Sequence, residues 1–591
     1  MSKLTDSDIL RALLDETNEF ESQNENFEKK SENDSDHLSI QSDINSEFEA
    51  ELPCLESDSD DDIPLSELRQ NRASYYTGKD GVTKWQKEQY RSNIRSRAEN
   101  IITHLPGPKT VARNKMSPLQ CFKLFITDEM IDEIVNCTNE KICMQTISDP
   151  KKLETTKEEM KALFGLLFIS GLVRSGRQST IDLWSTDGTG MDIFRDTMSR
   201  NRFGFLLNNL RFDSTATRSE RIQPDRLAPI RNIFVLFIKK CQDAYIPHEN
   251  LTIDEELVAF RGRCSFRQYI PSKPAKYGIK IYSLVDSKTF YTLNMEIYCG
   301  KQPENSPFAV SNKPYDLVDR LVQCVSQSSR NVTMDNFFTS YETTEHLQKN
   351  HKLTVVGTLR ANKTCIPPVF KKNREANSSM FGFQKDITII SYVPRPRKMV
   401  YLMSSLHHDK EIDSATGSKQ KPAVITFYNH TKSGVDMVDK LSRTYDVSRN
   451  SKRWPLTIFF ALLNHAGING MIIHMFNNGI EKNKRNLRGK FIRELGISLV
   501  KEHLNTRRQN QKLPKDLRTR ISRYFGNISE NLSEPPAKKP NTMQRCSKCP
   551  RKKDRKTKYS CKKCYTPICM EHADFFCQEC GNFDTNDLNL N

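Results

Sequence analysis

A change of hydrophobic period near residue 250 restricts the fold of this chain more than any other feature. Between residues 117 and 247, apolar side chains recur every three or four positions, which is typical of helices. A series of short strands and helices follows. It consists of strands over 251–260, 277–285 and 291–298, a helix over 315–327, a strand over 332–335, a helix over 341–348 and a strand over 353–358.

This order of strands and helices predicts a multidomain α/β protein whose core is a mixed sheet in an RNase H-like arrangement. The core is assigned to residues 249–359 as a first part and 422–446 as a second part. Between them, residues 360–421 are rich in Lys, Asn, Ser and Pro, and we predict that they form an insertion domain.

Helical periodicity is found on both sides of the core. Residues 116–248 and 447–526, the latter with a strongly apolar helix at 456–476, are predicted to form two parts of one all-α domain. Its expected role in DNA binding and dimerisation is implied by the family resemblance given below. The remaining segments are residues 1–115, predicted to be disordered, acidic and then basic; a basic linker at 527–545; and a small Cys-rich zinc domain at 546–581.

The distribution of charge points to a polyanion partner. The chain has 591 residues and a net charge of +17, from 90 basic and 73 acidic side chains. Residues 1–62 contain 20 acids and four basic side chains, a net charge of −16, which leaves +33 for the rest. A basic body of this size favours nucleic acid as the partner. The acidic segment competes with DNA for this body or simply increases solubility.

The sequence gives no sign of secretion or of membrane insertion. It has no run of 18 apolar residues, and its first residues lack the apolar core of a signal peptide. Seven of its 16 cysteines crowd into residues 546–580. The other nine are scattered, as in a reduced intracellular protein.

The Cys-rich segment has the spacing of zinc ligands. Its eight ligand residues form four pairs, each separated by two residues: Cys546 and Cys549, Cys561 and Cys564, Cys569 and His572, Cys577 and Cys580. Four such pairs predict two closed, structural Zn²⁺ sites. In a cross-braced topology the first and third pairs share one ion and the second and fourth pairs share the other. Sequential pairing also fits the spacing.

Three aspartates are candidates for a catalytic metal site. Asp254 lies inside the first predicted strand, Asp335 ends the fourth, and Asp436 opens a helix after Gly434, with Asp439 one turn later. An acid within an apolar strand is costly unless it is paired or binds metal. If the three acids converge, they can hold two Mg²⁺ ions. Alternatively, each caps a turn, pairs with a lysine or lies on a solvated helix face.

Several ordered segments resemble the piggyBac family of cut-and-paste DNA transposases. They are C-F-K-L-F-I-T-D-E from 121, L-T-I-D-E from 251, R-G-R-C-S-F-R-Q-Y-I-P-S-K-P-A-K-Y-G-I-K from 261, D-N-F-F-T-S from 335, T-V-V-G-T-L-R from 354, Y-N-H-T-K-S-G-V-D from 428 and R-W-P from 453. With the Cys-rich tail, the resemblance covers nearly everything after residue 117.

The resemblance implies a catalytic triad of Asp254, Asp335 and Asp436 with Mg²⁺, and Asp439 as a further acid beside it. It also implies nicking of the transposon 3′ ends, hairpin formation and joining to a TTAA target. These reactions require double-stranded DNA with terminal inverted repeats, a homodimer that joins two ends, and location in the nucleus. Lys538 and Lys539 could serve nuclear import, and the Cys-rich domain is expected to read transposon ends.

Basic and aromatic residues near the acids are candidates for DNA contacts. They are Arg261, Arg263, Arg267, Lys273, Lys276, Arg360, Lys363, Arg449, Lys452, Arg453 and Trp454, with Lys552 and Lys553 in the zinc domain. A solvated basic surface is the alternative for the loop after residue 260, and a core position is the alternative for Trp454. At the level of the whole chain, a domesticated DNA-binding protein and a zinc-finger chromatin adaptor compete with an active transposase.

Overall fold

The computed structural model describes residues 50–51, 74–90, 102, 104–145, 154–303, 305–480, 486–525, 543–561 and 566–573. The chain divides into two compact units, residues 1–513 and residues 514–591. Most of the acidic segment and most of the linker lie outside the described residues, so the predictions made for them remain predictions.

The first unit is built around one large mixed sheet. Its described strands are β1 (Ala50–Glu51), β2 (Tyr75–Thr77), β3 (Lys84–Gln86), β4 (Gly107–Pro108), β5 (Tyr245–Ile246), β6 (Asn250–Ala259), β7 (Gln268–Tyr269), β8 (Tyr277–Asp286), β9 (Thr292–Ile297), β10 (Asn331–Met334), β11 (Thr354–Leu359), β12 (Ser379–Phe383), β13 (Thr388–Arg395) and β14 (Lys398–Ser404). Strands β4 and β5 form a separate pair. The sheet order is β2-β3-β12-β13-β14-β11-β10-β6-β8-β7, with β1 on β14 and β9 on β8.

Along the chain, helices come before, between and after the strands of the sheet. They are α1 (Pro118–Phe122), α2 (Asp128–Gln145), α3 (Lys157–Leu172), α4 (Thr180–Leu183), α5 (Asp192–Thr197), α6 (Arg200–Asn209), α7 (Arg218–Arg221), α8 (Arg231–Ala244), α9 (Pro314–Val322), α10 (Tyr341–His351), α11 (Ala423–Thr431), α12 (Gly434–Thr444), α13 (Trp454–Asn478), α14 (Leu487–Gln509) and, in the second unit, α15 (Lys515–Ser522).

The centre of the sheet has the predicted RNase H-like order. Strand β6 pairs antiparallel with β8, and β8 pairs antiparallel with β9. On its other edge β6 pairs parallel with β10, which pairs parallel with β11. Helices α9 and α10 make the connections into β10 and β11. The predicted series of strands and helices is therefore confirmed.

The strands of the predicted insertion extend this sheet. Strand β14 pairs antiparallel with β11, with Thr358 opposite Leu402, and β13 and β12 continue outwards. The description of residues 360–421 as an insertion domain is corrected in this respect. Because β11 would otherwise end the sheet with unpaired backbone groups, β14 satisfies hydrogen bonds that an isolated core would leave open.

The disorder predicted for all of residues 1–115 is wrong for the hairpin of β2 and β3. This hairpin joins β12 through the pair of Phe383 and Gln86. The Trp85 side chain is fully buried, and its indole N–H donates to the carbonyl oxygen of Cys365 at 2.9 Å. Two three-residue strands are too short to produce a clear periodicity, so their burial depends on the distant strand β12.

The helices before and after the sheet pack together, as predicted. A Cβ atom at Gly165 of α3 would lie 2.8 Å from the carbonyl oxygen of Gly496 in α14, so only glycine allows this approach. Thr156 caps α3, its hydroxyl accepting from the N–H of Glu159, as the T-T-K-E-E-M pattern predicts. The apolar helix α13 is long enough to cross a membrane by composition, but its apolar stretch is entirely buried within the protein.

Candidate active site and zinc site

Parallel pairing of β6 and β10 brings Asp254 and Asp335 to the same level of the sheet. Met334 is in register with Ile253, and each is followed directly by one of the two aspartates. Asp335 begins the turn after β10, where its Oδ1 accepts hydrogen bonds from the N–H groups of Phe337 at 2.9 Å and Phe338 at 3.4 Å. Asp254 accepts from the N–H of Glu255 at 2.7 Å. Both carboxylates are half-buried.

The junction of α11 and α12 lies directly on these two strands and positions Asp436. The Thr252 hydroxyl of β6 donates to the carbonyl oxygen of Thr431 at 2.6 Å. The Thr431 hydroxyl lies 2.7 Å from that of Thr333 in β10. A Cβ atom at Gly434 would lie 2.5 Å from the Thr252 hydroxyl oxygen, so the first turn of α12 fits only with glycine. Asp436 lies in that first turn.

We expect Gly434→Ala to lower both stability and DNA cleavage. The added methyl group forces α12 away from Thr252, and such overpacking destabilises by about 1–3 kcal/mol. The matched control is Gly204→Ala in α6, where a Cβ atom meets nothing within 4 Å. The control should be neutral or more stable by about 1 kcal/mol. Urea unfolding and a cleavage assay measure the two effects, and equal behaviour of both variants would contradict the packing argument.

The electrostatics of the site favour a bound cation. Burial, followed by the charge of Asp436 and later that of Asp335, raises the pKa of Asp254 well above its usual value. Burial alone would lower the pKa of Lys273, but the carboxylates of Asp436, Asp254 and Glu255 raise it above its ordinary range. The Lys273 ammonium contacts Asp436 Oδ1 at 3.3 Å. One lysine therefore partly neutralises a group of acids that repel one another.

This repulsion predicts that Asp254→Asn stabilises the metal-free chain at neutral pH. A carboxyl pKa that is higher in the folded state means that the folded chain binds more protons than the unfolded one. Native stability therefore falls as pH rises from the usual range of an aspartate through the raised pKa of Asp254. In thermal unfolding without Mg²⁺ at pH 7, the midpoint of the variant should be higher by about 2 °C for a gain of about 1 kcal/mol in stability. At low pH, the variant and the native chain should be equally stable. A less stable variant at pH 7 would contradict the repulsion.

Asp439 is held by a partner that the sequence did not reveal. It is buried in α12, and Arg443 of the same helix binds its carboxylate, with Nε at 3.0 Å from Oδ1. Burial is the main cause that raises the pKa of Asp439, and the charge of Glu256 adds to it. The spacing of Asp439 and Arg443, i and i+4 on one helix, is the signal that would have predicted this pair.

A buried contact between a carboxylate and a histidine lies behind the acids. Glu256 and His465 of α13 are 3.1 Å apart between Oε2 and Nε2, and His465 Nδ1 lies 3.0 Å from the Thr292 hydroxyl. Alternation along β6 places Glu256 on the same face as Asp254, which the sequence could have indicated. Its partner could not be predicted, because His465 lies 209 residues away in an apolar helix.

The three aspartates fit Mg²⁺ in the chemistry of their donors. Carboxylate oxygens are the ligands that this ion takes, together with water. The charges of both Asp436 and Asp335 act on Asp254 and raise its pKa. Cations placed among the three carboxylates would relieve this repulsion, as in sites where several carboxylates share two ions and their waters.

An aromatic surface with one lysine lies next to Asp335. The rings of Tyr282 and Phe337 are nearly parallel, with centroids 6.3 Å apart. Lys280 lies over both, 4.9 Å from the Tyr282 centroid and 5.2 Å from that of Phe337, and pairs with Glu255 at 2.6 Å. The edge of Phe338 is buried against the same group.

Most of the predicted DNA-contacting residues are exposed. The exposed set consists of Arg261, Arg263, Arg267, Lys276, Arg360, Lys452, Lys552 and Lys553. Lys363 is partly buried, and Lys273 belongs to the acidic group. In the exposed set, Arg267 donates to the carbonyl oxygens of Arg261 and Gly262, and Arg360 donates to Asn336 Oδ1 at 3.1 Å, beside Asp335.

Two of the predicted DNA contacts instead bind the protein backbone. Arg449 donates to the carbonyl oxygens of Ser175 and Gln178 at 2.6 and 2.8 Å. Arg453 donates to those of Leu207 and Asn208, both at 3.1 Å, and burial is the main cause that lowers its pKa to about 9. These contacts indicate a structural role for both residues.

Trp454 packs against the loop that follows β6. Its ring meets the ring of Phe266 edge to face, with centroids 5.1 Å apart. Gly262 lies in the same loop as Phe266, and a Cβ atom at Gly262 would lie 2.7 Å from the carbonyl oxygen of Lys452, two residues before Trp454. The loop after β6 therefore packs closely on the segment before α13, and Trp454 is half-buried in this packing.

The second unit brings together one of the two predicted sets of zinc ligands. The ligand atoms of Cys546, Cys549, Cys569 and His572 all lie within 4.8 Å of one another. The Cys549 and Cys569 sulfur atoms are 3.7 Å apart, and His572 Nδ1 lies 3.3 Å from Cys569 Sγ. Tetrahedral Zn²⁺ with bonds of about 2.3 Å to sulfur places sulfur atoms about 3.7 Å apart, so the set fits the ion.

This grouping is that of the cross-braced topology, because it joins the first and third ligand pairs. For the second set, only Cys561 lies among the described residues, and Cys564, Cys577 and Cys580 lie outside them. Lys552 and Lys553 belong to the short 3₁₀ helix Arg551–Lys553, between the two pairs that the first set joins.

Comparison with known proteins agrees with this architecture. The family model described as "Transposase IS4" matches residues 117–471. Two human proteins are also similar in sequence. They are PiggyBac transposable element-derived protein 3, 24% identical over 369 residues, and PiggyBac transposable element-derived protein 2, 20% identical over 391 residues. The alignments cover 59% and 62% of this chain, and 60% and 63% of those proteins, so the chain spans about three fifths of their length.

A solved structure is also similar over most of the chain. It is a chain of the cryo-EM structure of piggyBac transposase synaptic complex with hairpin DNA, 39% identical with a TM-score of 0.68. The match covers 81% of this chain and 100% of the other. The family model, which matches more than half of the chain, defines the class as transposases. Within that class, this chain belongs to the piggyBac family.

Proposed function

We propose that this chain is an active cut-and-paste DNA transposase that excises its element by nicking and hairpin formation and inserts it at TTAA. The observation that carries the proposal is the convergence of Asp254, Asp335 and Asp436 on β6, the end of β10 and the first turn of α12. The charges of Asp436 and Asp335 raise the pKa of Asp254. A DNA-binding protein without catalysis has no use for carboxylates that repel one another in this way.

The acids divide the work between holding ions and keeping the site in place. Asp254, Asp335 and Asp436 would hold two Mg²⁺ ions, which when bound activate an oxygen nucleophile and stabilise the leaving oxygen. Asp439, on the same helix as Asp436, would be a further acid beside the ions, with its carboxylate oriented by Arg443. Lys273, already beside Asp436, supplies a positive charge for a phosphate once metal has neutralised the acids.

The DNA partner follows from the charges and aromatic rings around the acids. Exposed Arg261, Arg263 and Lys276 lie in the segment after β6 and would contact backbone phosphates. The half-buried Phe337 ring, held nearly parallel to the buried Tyr282 ring, would stack on a base that is unpaired at the hairpin. The zinc unit, with Lys552 and Lys553, would read the terminal repeats. A homodimer in the nucleus would join the two ends.

The test is cleavage of a labelled duplex that carries this element's terminal repeat beside TTAA, in the presence of Mg²⁺. We expect a nick followed by a hairpin, and joining of the freed ends to TTAA but not to a scrambled tetranucleotide. If a hairpin formed but the ends joined without selectivity for TTAA, the proposed enzymatic activity would stand and the proposed target sequence would be wrong. Binding without cleavage, for a verified end sequence, would overturn the enzyme.

The second candidate function is that of a domesticated DNA-binding protein. It is favoured by the similarity to two human proteins whose names describe them as derived from a transposable element. In that case the exposed basic residues would still bind DNA. The chain would then bind the terminal repeat equally well with and without Mg²⁺, and no variant of the three aspartates would change the result.

A further inference from the structure

A group of metal-ligating side chains lies on α9 and α10, outside the catalytic acids and the zinc unit. Asp319 of α9 faces His346 and His351 of α10, and the ligand atoms of all three lie within 4.8 Å of one another. Among the described residues, only this group and the Cys-rich set are this compact. From this group we infer that the chain binds a further metal ion here, a divalent transition metal such as Zn²⁺.

The two imidazoles point the same ring nitrogen at one oxygen. His346 Nε2 lies 2.6 Å and His351 Nε2 lies 2.9 Å from the same Asp319 Oδ1. Zinc with bonds of about 2.0–2.1 Å to nitrogen and oxygen separates its ligand atoms by about 3.3 Å. The ion therefore enters when these side chains move apart by less than about 1 Å, which helix-borne rotamers allow.

The other polar atoms of the three side chains are already held from outside. His346 Nδ1 lies 2.7 Å from Asn350 Nδ2, and His351 Nδ1 lies 3.0 Å from the Ser326 hydroxyl. Gln323 donates to Asp319 Oδ2 at 3.2 Å. Metal-binding histidines typically donate the second ring N–H to an acceptor, which orients the ring and sets its tautomer. The Ser326 hydroxyl offers such an acceptor to His351, and His346 gains one when the Asn350 amide turns its oxygen, in place of its nitrogen, towards Nδ1.

The donor set and its exposure decide which ion fits. Two imidazoles and one carboxylate suit zinc and its neighbours in the first transition row, and they suit Mg²⁺ poorly. His351 is buried, whereas the Asp319 side chain is 30% exposed and that of His346 is 18% exposed. Three protein ligands with one side open to water leave a position for a solvent molecule, so the ion exchanges more readily than one enclosed by four protein ligands.

The ion would connect two helices that support the core. Helix α10 begins at Tyr341, six residues after Asp335, and α9 precedes β10 in the chain. A metal bridge between them adds stability to the folded state, and this stability rises with the logarithm of the free metal concentration once the site is saturated. This role does not depend on the proposed transposition.

The test measures zinc per chain in the full-length protein after dialysis against a zinc-buffered solution. His346→Gln and Asp319→Asn each retain a hydrogen-bonding group and should each lose one zinc equivalent. The matched control is His474→Gln, because His474 is partly exposed and its Nδ1 lies 2.7 Å from the carbonyl oxygen of Met116, away from any carboxylate described above. The control should keep the native zinc content. Equal zinc in all four folded chains would overturn the site.

A second measurement does not depend on these variants folding. In a full-length chain whose seven cysteines within residues 546–580 are all replaced by serine, zinc bound at this site should give an X-ray absorption spectrum with nitrogen and oxygen ligands at about 2.0–2.1 Å and no shell of sulfur. Added zinc should also raise the midpoint of thermal unfolding of this chain. If the chain with the seven serines held no zinc with such ligands, and its midpoint did not move, the inference would be overturned.

Discussion

Asp335→Asn is expected to abolish nicking and hairpin formation while leaving DNA binding intact. The substitution removes a charged metal ligand, and a loss of at least about 10³-fold in rate corresponds to about 4 kcal/mol of transition-state stabilisation. Asparagine keeps an oxygen that accepts from the N–H groups of Phe337 and Phe338, so the turn after β10 is preserved. Cleavage of an end-labelled terminal repeat and a gel-shift assay with the same DNA measure the two properties.

The control for this prediction is Asp409→Asn, which removes one negative charge from an exposed position. Asp409 accepts a hydrogen bond from the N–H of Glu411 at 3.2 Å, and the loss of its charge should leave cleavage unchanged. If Asp335→Asn retained most of the cleavage rate, the acids on β6, β10 and α12 would not form the catalytic site. A loss of DNA binding together with cleavage would instead indicate a disturbed fold, which thermal unfolding would show.

Cys549→Ser, or removal of zinc by a chelator, is expected to unfold the second unit. The Cys549 sulfur contacts both the Cys569 sulfur and His572, each at 3.7 Å, and few apolar residues surround them. Binding of structural zinc supplies about 10–16 kcal/mol in small zinc domains, so the loss of one of four ligands removes most of the folding free energy. Limited proteolysis should then cut within residues 543–573, and binding to the terminal repeat should fall at least tenfold.

The control for the zinc unit is Cys143→Ser in the first unit. Cys143 is exposed, and its thiol contacts Glu154 at 3.0 Å without any other cysteine nearby in the structure described. Its substitution should change neither the zinc content nor the protection from protease. A Cys549→Ser chain that remained protected at residues 543–573 would show that this unit folds without its metal.

The two predictions separate the roles of the two units. A chain with Asp335→Asn should bind ends and not cut them. A chain with Cys549→Ser should keep the folded first unit with its acids and lose the recognition of ends. If Cys549→Ser cut a non-specific duplex as well as the native chain does, catalysis would belong entirely to the first unit.

The sequence by itself determined the features that depend on local pattern. Period and length were enough for the strands β6, β8, β9, β10 and β11 with their two helices, because alternation and helical spacing are properties of neighbouring residues. The ligand pairs of the zinc unit were likewise visible, because each pair must be close in the chain to share an ion. The resemblance to a known family then selected Asp254, Asp335 and Asp436 from all the acids.

Only the tertiary structure decided which distant groups meet. The parallel register of β6 with β10, and the fit of Gly434 on Thr252, place the three acids together. Arg449 and Arg453 look like phosphate ligands in the sequence, but backbone carbonyl oxygens in the helical part bind their guanidinium groups. Contacts of this kind join residues that are far apart in the chain, and their energies depend on burial, which no local pattern encodes.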